Sequence, residues 1–99
     1  VIGIFFIPTK ARTYTNFTNE NYTKDSFAYL KEEYNELSIP VVDLSDTFEK
    51  NAAKELKKNN YLFWRDDSHW NALGIKIAMD CVKSFIIADV AIRKNFKCE

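Results

Sequence analysis

The chain has 99 residues, 46% of them apolar and 28% charged, which allows one small domain with a modest core. Its 14 basic and 14 acidic residues cancel, so nothing in the charge balance points to nucleic acid or an anionic membrane as partner. No run of about 18 apolar residues marks a membrane span.

Residues 1–7, VIGIFFI, form a continuous apolar run ended by Pro8. Such a run suits a strand covered on both faces, the habit of parallel sheets. Residues 9–24 are polar and rich in Thr and Asn, and read as a loop. Asn16 and Asn21 each head an Asn-x-Thr triplet there. From Lys24 to Leu37, the residues Phe27, Leu30, Tyr34 and Leu37 recur at helical spacing, with Thr23 or Asp25 available as a cap. IPVVDL, 39–44, reads as a second buried strand. Asp46 followed by Glu49 suggests the next helix start, and Phe48, Ala52 and Leu56 give that helix one apolar stripe.

YLFW, 61–64, reads as a short third strand or extended arm. Asn71 can cap a last helix, in which Leu73, Ile77, Cys81 and Phe85 make one stripe and Ala78, Val82 and Ile86 widen it. The tail, 93–99, is polar and is expected to fray. Cys81 and Cys98 have neither the density of a disulfide framework nor metal-ligand spacing, so they read as two free thiols. The alternation of strands and helices predicts an α/β fold with a parallel sheet. Three strands would leave open edges, and the chain opens inside a strand. The 99 residues therefore read as part of a longer domain.

The stretch WRDDSHWN, 64–71, holds the only histidine, His69, after a predicted strand and before a helix. In open α/β sheets that is where working residues gather. A histidine that takes a proton from a nucleophile needs its other ring nitrogen held by an acceptor, which fixes the tautomer and stabilises the imidazolium. Asp67 and Asp66, two and three positions earlier, are both within reach. Disabling that carboxylate in serine-hydrolase triads costs on the order of 10⁴ in rate.

FIPTKARTY (6–14), IPVVDL (39–44) and YLFWRDDSHWNALG (61–74) resemble the C-terminal half of SGNH (GDSL-type) hydrolases. The nearest variety carries a D-x-H-W-N-x-x-G block, as in alginate O-acetyltransferase-like proteins; here it is Asp67, His69, Trp70, Asn71 and Gly74. The resemblance implies a flavodoxin-like three-layer α/β/α sandwich, about half of it present, as a single partial domain over 1–99. It also implies a Ser-His-Asp triad for ester hydrolysis or acyl transfer, with no cofactor. The substrate would be an acyl ester, often on cell-surface carbohydrate, and such relatives act outside the cytoplasm. Carried over, His69 is the general base and Asp67 its orienting partner, with Asp66 as the alternate.

The Gly-Asp-Ser nucleophile block is absent, and Gly3 and Gly74 are the only glycines. None of Ser26, Ser38, Ser45, Ser68 and Ser84 sits on a Gly-rich elbow, so the chain alone is expected to be inactive. Trp70 could wall an acyl pocket, Asn71 could cap its helix and border the site, and Lys10 could touch substrate or simply be solvated. Arg12 and Tyr14 share that ambiguity more weakly, and Trp64 reads as packing. Two rivals stand beside the triad. One is a metal site of Asp66, Asp67 and His69, for which no second histidine or Cys cluster exists. The other is a non-catalytic α/β module in which Asp67 and His69 tie the last helix to the sheet.

Overall fold

The computed structural model describes residues 3–18 and 25–98. The Asn21 triplet and the Thr23 cap lie outside them, as do the side chains of Asp25 and Phe27. Among the described residues the sheet has two strands, β1 (Ile4–Phe6) and β2 (Val41–Asp43), paired in parallel with Ile4 opposite Val41 and Phe6 opposite Asp43. Parallel neighbours need a long crossover, and α2 (Asp25–Glu36) lies within it and packs on β2. The fold is mixed α/β and mostly helical.

The polar stretch after β1 is not all loop. It contains a one-turn helix, α1 (Lys10–Thr13), and a 3-10 turn at Thr15–Phe17. Thr9 starts α1 by accepting the Arg12 backbone N–H at 3.1 Å, which satisfies an otherwise orphaned donor. A helix of four residues is too short to show a period, so only its cap could have announced it.

Helix α3 (Ser45–Leu56) begins one residue before the expected cap. Its N-cap residue, Leu44, offers no side-chain bond, and Asp43 instead accepts the Ser45 N–H at 2.9 Å. Asp46 falls in the first turn, where a carboxylate suits the positive end of the helix dipole. Phe48 and Ala52 are fully buried, with Leu56 half-buried at the end of the stripe. Both α2 and α3 end with a left-handed residue, Ser38 (φ 57°) and Asn59 (φ 60°). At each end two amides fold back: Ser38 and Ile39 onto Asn35 and Tyr34, Asn59 and Asn60 onto Leu56 and Glu55. That pair of bonds is the Schellman arrangement.

YLFW does not join the sheet. Leu62 and Phe63 turn inward and Phe63 makes an isolated antiparallel bridge to Trp70. The segment closes into a hairpin-like loop, with Asn71 N–H donating to Leu62 and Trp64 N–H to His69, at 2.9 and 3.0 Å. A four-residue aromatic run is equally apolar as strand or as arm, and here the bond to Trp70 decided it.

Helix α4 (Ala72–Ile87) starts at Asn71, whose side chain accepts the Gly74 N–H at 3.0 Å. Gly74 is required by close approach, since a Cβ there would run into the Leu62 carbonyl oxygen and the Trp70 side chain. The buried face of α4 is Gly74, Ala78, Cys81 and Phe85. Ile86, expected to widen it, is half-exposed, as are Ile75 and Met79.

The core joins Val42, Leu44, Phe48, Ala52, Leu62, Phe63, Ala78 and Phe85. Phe85 is its hub, edge-on to Phe5 at 5.2 Å and to Phe96 at 5.4 Å between ring centroids. Two expectations fail together at the C-terminus. Cys81 and Cys98 are not free thiols but form a disulfide, with Cα atoms 5.5 Å apart. The tail therefore does not fray: Val90–Asn95 forms a 3-10 helix, Phe96 packs on the core, and Thr47 donates to the Cys98 carbonyl at 3.3 Å. None of the described helices is long and apolar enough to cross a membrane.

Candidate active site

The loop 64–69 carries the site, and its own backbone shapes it. Asp67 turns back on the chain, its Oδ1 accepting the His69 backbone N–H at 2.8 Å. The same oxygen meets the His69 ring nitrogen Nδ1 at 2.5 Å. One carboxylate thus fixes both the turn and the imidazole. The His69 backbone N–H, and after it the His69 imidazole, hold the Asp67 carboxyl below its ordinary value. An ionised carboxylate only accepts, so in the neutral ring Nδ1 carries the proton. Nε2 is then left as a base, on a side chain 78% exposed. Asp66 makes no hydrogen bond or ion pair among the described residues, so the contact to His69 belongs to Asp67.

Lys10 neither floats in solvent nor offers free donors to a substrate. Its Nζ donates to the carbonyls of Trp64, Arg65 and Asp67 at 2.7, 2.9 and 3.2 Å. An ammonium has three N–H donors, and all are engaged on the loop that bears the pair. Lys10 is a clamp, and its charge also lowers the Asp67 pKa, as the smallest of the contributing causes.

Asn71 is committed in the same way. Besides capping α4, its amide nitrogen donates to the Tyr61 and Phe63 carbonyls at 2.6 and 3.3 Å. Both N–H donors are spent on the scaffold, which removes Asn71 from substrate binding through them. Trp70 is half-buried against the core and, with Ile7, Pro8 and Phe63, walls a concavity of about 310 Å³ that holds His69. Trp64, expected to pack, is 59% exposed. Arg12 is buried with its guanidinium over the Phe6 ring, 5.5 Å from the centroid. The Tyr14 hydroxyl accepts the Leu62 N–H at 3.1 Å. Tyr14 thus braces the start of the loop, while Arg12 is committed to β1.

Comparison with protein-family models, curated proteins and solved structures finds no match for this chain. What the site can do is therefore read from its own chemistry.

The pair can accept a proton at Nε2 and hold the resulting imidazolium against Asp67. It has no nucleophile of its own. Ser68 lies between the two residues and lines the concavity, but it adjoins His69 in sequence and would have to fold back on its own backbone to reach the ring. Ser45 stands at a strand-to-helix turn with its hydroxyl buried and unpartnered, yet it does not line the concavity at His69. Ser84 donates to the Asp80 carbonyl within α4 at 3.0 Å. Among the described residues no group of three or more His, Cys, Asp or Glu side chains converges as a metal site would require.

Sequence reasoning passed over Arg65 and the larger cavity beside it, about 700 Å³, bounded by α1, the end of α3 and residues 61–68. The signal was faint, because its walls come from three separate segments.

Proposed function

We propose that this chain supplies the His–Asp half of an SGNH-type serine esterase or O-acyltransferase, within a flavodoxin-like α/β/α domain to which the two strands belong. The reading rests on one observation: Asp67 holds Nδ1 of an otherwise exposed histidine at 2.5 Å, leaving Nε2 open. The nucleophilic serine lies outside these residues. Its hydroxyl attacks the carbonyl carbon of an acyl ester while Nε2 of His69 takes the proton. The C–O bond to the alcohol then breaks, and His69 returns that proton to the leaving oxygen. Water or a sugar hydroxyl attacks the acyl-enzyme in the second half, again deprotonated by His69. Asp67 steadies the imidazolium in both halves. The Cys81–Cys98 disulfide supports an oxidising, extracytoplasmic setting, since cytosolic thiols are kept reduced.

A fluorophosphonate probe on the full-length protein tests this. Serine labelling is expected, and His69→Ala should slow it by at least about 10³-fold. Labelling that ignores His69→Ala would overturn the assignment. One observation favours a structural role instead: Asp67 also binds the His69 backbone N–H, as an aspartate in a plain turn does. On that reading no serine labels at all.

A further inference from the structure

We propose that the 700 Å³ groove beside the pair receives the hydrocarbon of an acyl donor bearing an anionic group, with Arg65 as the cationic contact. The proposal rests on the acyl-transfer reading and names the substrate class of that site.

The groove adjoins the concavity holding His69, and Thr9, Lys10, Phe63 and Ser68 line both. On this proposal the reacting end of the ligand passes these shared residues toward the imidazole. Its exposed lining is mostly hydrocarbon and ring, from Ala11, Tyr14, Leu56 and Phe63, with Thr9, Thr18, Tyr61 and Ser68 adding hydroxyls. The Tyr14 oxygen accepts the Leu62 N–H, which ties that hydroxyl to the loop backbone. A sugar would leave most of its hydroxyls unpaired against such walls, whereas an alkyl or aryl chain loses nothing by leaving water. Size agrees: ligand pockets run about 300–1,000 Å³, and acetyl alone would leave most of this volume unfilled.

Charge identifies the other end of the ligand. Two cations line the groove, Lys10 and Arg65. Lys10 has spent its donors on the Trp64, Arg65 and Asp67 carbonyls. The Arg65 guanidinium makes no hydrogen bond or ion pair among the described residues. It is planar, permanently charged and shaped for bidentate binding of carboxylate or phosphate. An uncommitted guanidinium at the rim of an apolar groove complements an amphiphile with an anionic head.

Sodium octanoate serves as the probe, titrated into the isotope-labelled chain and followed by amide chemical shifts. Saturable shifts at Ala11, Leu56 and Phe63 are expected, with none from acetate at equal concentration. Arg65→Gln should weaken octanoate roughly tenfold, the worth of one charge-assisted hydrogen bond. Ala11→Glu, an exposed position that places a carboxylate in the groove, should abolish the shifts. No response to octanoate, an equal response to acetate, or affinity unchanged by both variants would overturn the proposal. The titration involves neither a serine nor the proton-transfer role of His69. Its failure would leave the acyl-transfer reading standing, and failed serine labelling would leave the titration result intact.

Discussion

At the scale of single residues, Asp67 performs two tasks with one oxygen. It closes the turn through the His69 amide and orients the ring through Nδ1. Asp67→Asn should separate the tasks, because an amide can still accept from the backbone but can also present N–H to the ring. The neutral imidazole should then shift toward the Nε2–H tautomer, and nitrogen NMR reads this without ambiguity because His69 is the only histidine. The Asp67 carboxyl lies below its ordinary value in the folded chain, chiefly through the His69 amide. Its contribution is therefore complete above the unfolded pKa and lost as pH falls through the lower, folded one. The ionised form of the Asp67 carboxyl, read from its carbon chemical shift, should persist through the usual carboxylate range and be lost only at more acid pH. A tautomer unaffected by Asp67→Asn would refute the orienting role.

Lys10 belongs to the same scale. Removing its ammonium frees three carbonyls of the 64–67 loop at once. Lys10→Met keeps the length of the stem and loses the donors. The Trp64 amide, bonded to the His69 carbonyl across the loop neck, should exchange with solvent roughly tenfold faster, corresponding to about 1.4 kcal/mol of local opening. Unchanged exchange would mean that the loop holds its shape without the clamp.

At the scale of elements, the helix ends locate the stress. Ser38 sits at φ 57° to complete the Schellman end of α2, a conformation that costs an L-residue about 1–2 kcal/mol. Glycine adopts it freely. Ser38→Gly should thus stabilise the chain by about 1 kcal/mol in urea denaturation, despite glycine's greater freedom when unfolded. Asn59→Gly should gain less, since asparagine tolerates that region better. A lower midpoint for Ser38→Gly would contradict the account.

Elements also mark what the sequence could show. β1, β2, α2, α3 and α4 were legible because each carries its own period or apolar run, and Asn71 marked the start of α4 by cap chemistry. The Asp67–His69 pair was legible because two positions of separation fit within one turn. Lys10 was not, since its partners lie 54 to 57 positions away and no local pattern distinguishes a clamp from a solvated lysine. For 61–64 the sequence left strand and arm both open, because apolar content sets burial and not hydrogen-bond partner.

At the scale of the whole molecule, the disulfide was the least readable feature and has the broadest consequences. Two cysteines 17 positions apart give no framework to read, yet the bond fixes where the C-terminal segment lies. It pins the 3-10 helix and Phe96 against Phe85, the residue through which α4 meets β1. Closing a loop of this length restricts the unfolded chain by about 3 kcal/mol on the chain-entropy model, a large share of the 5–15 kcal/mol that holds a typical domain. Cys98→Ser should lower unfolding free energy by about that amount, and reductant added to the unmodified chain should reproduce the loss. The two treatments should not add, because they remove the same constraint. The His69 ring signals should be preserved in the folded variant, since the loop is held from Lys10 and Asn71, on the other side of α4's start. Equal urea midpoints with and without reductant would show that Phe96 and the Thr47 contact alone suffice to dock the tail.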